Sequence, residues 1–304
     1  MNEYLDLTVI ILTYNEEKHI GRCLDNVCDI ANEIIVIDCF STDRTKEICH
    51  SFDKVRFIEH HWPGNQSEQL NWALENVSIN SKWLLRLDAD EYMTEELKLE
   101  IFEKLPIIEE DVSAILLPLG RVFHGKELKH GISNGIKMIR LFRKDAVRCE
   151  QRLMDEHLQV LKGRTIAFKN KFVDDSLISM TAFTAKHNDY SNREAALLLD
   201  AEYRLSQKDN LGDSRLATAI AVKRRQKEKY AKLPLYLRAF GYFIFRRYLK
   251  LGFLDGRAGL EWDFFQGLWY RMLIDAKVAE AHRICGNDRE KIREYIENVL
   301  RVKL

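Results

Sequence analysis

Asp88 and Asp90 are the residues best suited to chemistry in this chain of 304 residues. They follow the apolar run Trp83-Leu84-Leu85-Arg86-Leu87, which reads as a buried strand whose polar end emerges at a sheet edge. Side chains at i and i+2 of an extended chain point the same way, so both carboxylates can face one divalent cation, or a cation bound to a phosphate. The spacing is not that of a helix–loop–helix calcium site, because Tyr92 and Met93 stand where a ligand and the required glycine belong. An Asp-x-Asp turn alone also caps loops and helices. The elements around it have to decide.

Those elements alternate. Leu7-Thr8-Val9-Ile10-Ile11-Leu12 is a β-branched strand, and Thr13-Tyr14-Asn15-Glu16-Glu17 breaks it before a helical pattern through Ile20, Leu24 and Val27. Glu33–Asp38 repeats the strand, and Ser41-Thr42-Asp43 supplies an N-cap for a helical turn over 44–50. Residues 54–58 form a third strand, 66–77 a helix with Leu70, Ala73, Leu74 and Val77 on one face, and 83–87 the fourth strand. Such alternation predicts βαβ units and a mostly parallel sheet covered on both faces. In these sheets ligands bind at the carboxyl ends of the strands, where strand order reverses. Three polar strand ends converge there: 13–16, Asp38, and Asp88 with Asp90. There is no G-x-G-x-x-G and no G-x-x-x-x-G-K-[ST], which argues against a dinucleotide dehydrogenase and a P-loop enzyme. Gln66, Gln69 and Asn71 on the 66–77 helix either touch a donor or form a solvated face, and the solvated face is the expectation.

The composition is 46% hydrophobic and 31% charged, enough for a sizeable core. The net charge is zero, yet residues 1–130 carry 13 Lys and Arg against 25 Asp and Glu, and 131–304 carry 34 against 22. That asymmetry points to an anionic partner for the second half. The six cysteines show no Cys-x-x-Cys pair and no zinc-ligand spacing, as expected for reduced thiols in a cytoplasmic protein. No apolar stretch reaches the length of a bilayer span.

The series Val9-Ile10-Ile11-Leu12-Thr13-Tyr14-Asn15-Glu16-Glu17, Ile35-Val36-Ile37-Asp38-Cys39-Phe40-Ser41-Thr42-Asp43-Arg44-Thr45 and Leu87-Asp88-Ala89-Asp90-Glu91 resembles the family 2 glycosyltransferases of GT-A fold. Among them it is most similar to the bacterial lipooligosaccharide β-1,4-glucosyltransferase-like branch. The motifs span about the first 95 residues; weaker similarity at Gly252-Phe253-Leu254-Asp255-Gly256 is to the tail of related surface-glycan transferases. The resemblance implies a GT-A, Rossmann-like α/β domain over 1–187, with flanking helices and a helical C-terminal region over 188–304. It places Thr13, Tyr14, Asn15 and Glu16 beside the base and ribose of a UDP-sugar, and Asp38 at the base pocket. Asp88, Ala89 and Asp90 match the DxD motif, with Asp90 the direct ligand of Mg²⁺ or Mn²⁺. One departure stands out: many members have a second Asp where this chain has Cys39, followed by Phe40 where Gly is usual.

Residues 112–117, 137–142 and 157–160 read as further strands, interrupted by Gly120, Gly125, Gly131 and Gly135; they are expected to be antiparallel and to build the acceptor side. Inverting transfer from a nucleoside diphosphate needs a carboxylate to take the acceptor's proton. In Met154-Asp155-Glu156-His157-Leu158 the resemblance assigns that role to Glu156, with Asp155 second. His187, just ahead of the helical region expected from Ser191, corresponds to a family histidine that approaches the diphosphate or metal. Arg140 and Arg143 either clamp phosphate or lie on a strand's wet face.

Residues 222–250 hold ten Lys or Arg against Glu228, interleaved with seven aromatics. Two readings stand for these helices: an in-plane contact with anionic lipid, or packing on the catalytic core with a solvated basic face. No nucleic-acid-binding signature accompanies them. The segment 259–281 is apolar on more than one side, which suits burial, an interface or a homodimer. The resulting expectation is an inverting, metal-dependent enzyme at the cytoplasmic face of the inner membrane. It would move sugar from a nucleotide donor to a hydroxyl of a lipopolysaccharide core or lipid-linked oligosaccharide. A polyprenyl-phosphate transferase and a non-catalytic nucleotide-sugar-binding scaffold are the alternatives.

Overall fold

The continuous apolar runs form strands, and the helical patterns between them form helices, where the sequence places them. The computed structural model describes residues 5–132, 135–150, 157–206, 225–227 and 229–303. The chain divides into two units, one of residues 1–129 with 133–177, the other of 130–132 with 178–304.

In the first unit, strands β1 (Leu7–Thr13), β2 (Glu33–Asp38), β3 (Val55–Glu59) and β4 (Trp83–Asp88) are parallel neighbours in the order β3-β2-β1-β4. Helices α1 (Ile20–Val27), α2 (Thr45–His50) and α3 (Gln66–Asn76) connect them. Alternate residues of each strand enter different cores, as the pleat demands. Val9, Ile11, Val36 and Leu85 pack with Ile20, Leu24 and Val27 of α1, while Ile10, Ile35, Ile37 and Leu84 pack with Leu70, Ala73 and Val77 of α3.

Past β4 the sheet becomes mixed. Strand β5 (Glu91–Met93) and helix α4 (Glu95–Lys104) follow, then β6 (Val112–Phe123), β7 (Lys126–Glu127), β8 (Lys137–Arg143), β9 (Val147–Cys149), β10 (Leu158–Val160), β11 (Arg164–Ala167) and β12 (Phe172–Asp175). The order continues β4-β8-β6-β12-β5, with β8 antiparallel to both β4 and β6, and β12 parallel to β6 but antiparallel to β5. The expected antiparallel additions are therefore present in β8. The strand expected to stop before Gly120 instead runs through it to Phe123. A Cβ at Gly120 would lie 3.2 Å from Val173 Cγ2 and 3.1 Å from Lys171 Cδ, so the glycine lets β12 close on β6 rather than ending the strand.

The second unit is helical. It comprises α5 (Met180–Tyr203), α6 (Leu237–Ile244) with a π-helical continuation Phe245–Leu249, a short turn Gly252–Asp255, α7 (Gly256–Trp262), a π-helical stretch Asp263–Trp269, α8 (Tyr270–Cys285) and α9 (Arg289–Asn298). Helix α5 begins well before the Ser191 expected, because Ser179 accepts the Ala182 N–H at 3.2 Å and caps it. The basic stretch is not uniformly outward: Arg238 is buried and donates from Nε to Asp275 Oδ1 at 2.8 Å, and Arg246 is buried beside Asp263 at 3.1 Å. Among the described residues, no helix is long and apolar enough to cross a membrane.

Candidate active site

Chain order reverses beside β1, since β2 and β3 extend to one side and β4 returns on the other. The register aligns the strand ends: Thr13 lies opposite Asp38, and Leu12 opposite Asp88. The three polar strand ends predicted from the sequence are therefore adjacent at a topological switch point, the place where open α/β sheets bind ligands.

Much of the polar chemistry at the first two ends stitches the loops together. Thr13 Oγ1 donates to Asp38 Oδ1 at 2.8 Å, Ser41 Oγ donates to the same oxygen at 2.6 Å, and the Ser41 N–H donates to Oδ2 at 2.7 Å. Asp38 is 1% exposed, so its carboxylate is held by these three donors. Successive backbone N–H groups of Asn15, Glu16 and Glu17 donate to Ser41 Oγ, Thr45 Oγ1 and Asp43 Oδ2, and Asn15 Oδ1 accepts the Thr42 N–H at 2.8 Å. Burial raises the Asp43 pKa, but hydrogen bonds from Thr45 and Glu17 outweigh it and hold the carboxyl below its ordinary value. Glu16 accepts from His19, whose other ring nitrogen receives the Leu177 N–H at 2.9 Å; that bond fixes the His19 proton on Nδ1.

The surfaces left outward are aromatic. Tyr14 is 60% exposed, and Phe40, also exposed, stands 4.5 Å from the His61 ring. Phe40 has φ +59°, a left-handed conformation that only glycine adopts without steric cost. Cys39 accepts from Gln69 Nε2 at 3.3 Å, Gln69 Oε1 meets His60 Nδ1 at 2.7 Å, and His60 stacks on Trp72. Burial, then Asp38, pushes the Cys39 thiol up to about 11, so it is a neutral thiol at pH 7.

The solvated face expected for Gln66, Gln69 and Asn71 holds only for Gln66. Gln69 and Asn71 are buried, and Asn71 bridges to β9, donating to the Cys149 carbonyl at 2.8 Å and accepting its N–H at 2.9 Å. A helix packed against an added strand needs polar side chains to satisfy that strand's edge, and sequence periodicity does not register this.

At the third end, Ala89 and Asp90 form a turn between β4 and β5. Glu91 folds back to accept the Asp88 N–H at 2.9 Å and pairs with buried Arg140. Burial drives the Glu91 pKa up, and Arg140 opposes it. The Asp88 oxygens lie 3.5 Å from Arg86 and 3.4 Å from Arg140. Arg22, on α1, grips the far side of the turn: it contacts the Asp175 carboxylate at 2.5 Å and donates to the carbonyls of Asp175 (2.6 Å) and Asp90 (3.3 Å). Neither expected role for Arg143 as a phosphate clamp or a wet-face residue describes it, since it lies over the Trp83 ring and donates to the Val112 carbonyl. Arg140 is buried rather than on a wet face. Arg22, Arg86, Glu91 and Asp175 were not anticipated; only Glu91, adjacent to the Asp pair, carried any signal.

The donor set at the turn is hard oxygen, which suits Mg²⁺ or Mn²⁺. Among the described residues, no three His, Cys, Asp or Glu gather into a cage. His187 belongs to the second unit, where Nδ1 donates to the Phe183 carbonyl at 2.8 Å and Nε2 meets Gln266. Glu156 and Asp155 lie outside the described residues.

With this geometry in place, residues 8–149 match the sequence model of glycosyl transferase family 2. Residues 8–149, just under half of the chain, thus form a domain similar to that family. This domain is 36% identical over 104 residues to the SPbeta prophage-derived glycosyltransferase SunS of Bacillus subtilis, covering 34% of this chain and 24% of SunS. It is 33% identical over 98 residues to the lipopolysaccharide core biosynthesis glycosyltransferase LpsC of Rhizobium meliloti, covering 31% of this chain and 35% of LpsC. The matched stretch thus spans about a third or less of these relatives' own lengths. In fold, the chain is similar to the mannosyltransferase PcManGT from Pyrobaculum calidifontis, solved with GDP-Man and Mn²⁺. That similarity has a TM-score of 0.50 at 16% identity and covers 91% of this chain and 88% of that one. The GT-A architecture expected for the family 2 domain is borne out, with a mixed rather than mostly parallel sheet.

Proposed function

We propose that this protein is an inverting, metal-dependent glycosyltransferase. It takes a sugar from a nucleotide donor, UDP-linked, and passes it to a hydroxyl of a lipopolysaccharide core or lipid-linked oligosaccharide at the cytoplasmic face of the inner membrane. One observation carries the reading: the register that puts Thr13, Asp38 and Asp88 at neighbouring strand ends within a family 2 domain. Tyr14 offers an exposed ring for the base, while Thr13, Asn15, Glu16 and Asp38 hold the loops that shape its pocket. Asp90, with Asp88, would bind Mg²⁺ or Mn²⁺. The cation supplies charge neutralisation on the departing diphosphate. Arg22, Arg140 and Glu91 keep the turn in place, and Ala89, buried, sets its depth. Glu156, or Asp155 in its place, takes the proton from the acceptor hydroxyl.

Donor hydrolysis with added Mn²⁺ tests the reading. Sugar release from a UDP-sugar is expected in the wild type and a loss of about a hundredfold or more in Asp90→Asn, with thermal stabilisation by UDP and Mn²⁺ falling in the same variant. A chain that binds UDP yet frees no sugar is a scaffold and overturns the proposal. In acceptor assays Glu156→Gln should abolish transfer to a hydroxyl; unimpaired transfer would instead identify a phosphate acceptor, which needs no base.

A further inference from the structure

Helix α6 and its π-helical continuation turn large apolar side chains outward. Leu237, Phe240, Ile244 and Tyr248 recur along one side of the helix, with Leu237 71%, Phe240 56% and Tyr248 56% exposed. Leu249 extends the stripe, and Leu233, Pro234, Gly241 and Phe245 line an apolar groove of about 340 Å³ beside it. An exposed apolar area of this kind on a folded unit marks a surface that something covers.

The charges around it have one sign. Within residues 229–264 the acids are Asp255, Glu261 and Asp263. Asp255 and Asp263 are buried, held by His130 and Arg246, and Glu261 pairs with Arg257 at 2.8 Å. The exposed ions of the segment outside that pair are Lys229, Lys232 and Lys250. The Lys250 ammonium lies 5.6 Å over the Phe245 ring, so a cation stands at the edge of the apolar stripe. Internal pairing of the acids leaves a surface that is apolar with a cationic rim.

We infer that this face of the second unit docks on an anionic lipid surface. The stripe enters the boundary between headgroups and acyl chains, and Lys232 and Lys250 meet lipid phosphates. A second copy of the chain is the poorer occupant, because a two-fold contact would set cationic rim against cationic rim. The inference deepens the proposed reading, resting on it for a lipid-borne acceptor, but the docking itself requires no turnover.

Sedimentation of the full chain with vesicles, in the absence of donor, tests it. Vesicles of phosphatidylcholine and phosphatidylglycerol at about three to one should carry the wild type down at low salt, release it at high salt, and outcompete pure phosphatidylcholine. The triple variant Leu237→Ser, Phe240→Ser, Tyr248→Ser should bind about tenfold or more weakly, with donor hydrolysis in solution unchanged. Lys232→Glu with Lys250→Glu should abolish the preference for anionic lipid. Failure of the wild type to sediment at low salt overturns the inference, as does a triple variant that binds like the wild type. A stripe that proves to hold a dimer by light scattering, without vesicle binding, also overturns it and assigns the face to a second copy. No sedimentation or scattering result depends on sugar release, so failure of the docking and failure of the proposed reaction remain separate outcomes.

Discussion

Arg140 is the side chain on which the Asp88 turn leans most heavily. It is buried against two carboxylates, Asp88 and Glu91, and its guanidinium also lies over the Phe172 ring at 4.9 Å. Removing one partner of a buried pair strands the other, at a cost of about 3–5 kcal/mol. Arg140→Met should lose that much in urea unfolding, and adding Glu91→Gln should recover a large part, because the stranded charge is then gone. The Asp pair itself was legible in the sequence, since an apolar strand that stops at two carboxylates announces both an element and its edge. Its supports were not. Arg22 and Asp175 belong to different elements far apart in the chain, and no local period links them. Asp38 shows the converse: its strand-end position was readable, whereas its burial under Thr13 and Ser41 depended on how two loops fold over each other.

At the scale of elements, helix α4 ties its neighbourhood together through one residue. Glu100 is buried, receives the Lys104 ammonium at 2.7 Å, and accepts the backbone N–H groups of Lys169 (3.1 Å) and Asn170 (2.9 Å). Burial raises its pKa, but these donors outweigh it, so the folded value lies below the ordinary 4.5. A carboxyl with a depressed folded pKa adds stability above its unfolded pKa and loses it as pH falls through the folded one. Glu100→Gln should therefore cost about 1–2 kcal/mol at pH 7, and the gap from wild type should close below about pH 4. Denaturant titrations at both pH values check this. Strands β1 to β4 were readable almost to the residue, because burial on both faces makes β1, β2 and β4 continuous apolar runs that stop at polar ends. Strand β6 was read too short, because a glycine inside a strand looks the same in sequence whether it ends the strand or admits a neighbour.

Across the whole molecule, the second unit keeps its own buried charges. Arg238 and Asp275 are both almost fully enclosed, and Asp275 also accepts the Tyr236 N–H at 2.7 Å. Asp275→Ala should destabilise this unit by about 3–5 kcal/mol. Replacing both residues with apolar ones, Arg238→Met with Asp275→Leu, should come closer to wild type by calorimetry. The sequence showed these arginines only as part of a basic stretch; which of them faced inward depended on acids that lie beyond it, Asp263 and Asp275.

The position of β12 has a consequence for how the protein is made. It lies between β6 and β5, and Asp175 at its end holds Arg22. A ribosome releases Asp90 well before Phe172–Asp175 leaves the exit tunnel. Until then β5 lacks the strand it pairs with and Arg22 lacks Asp175, so the turn that carries Asp88 and Asp90 gains its last supports only after β12 emerges.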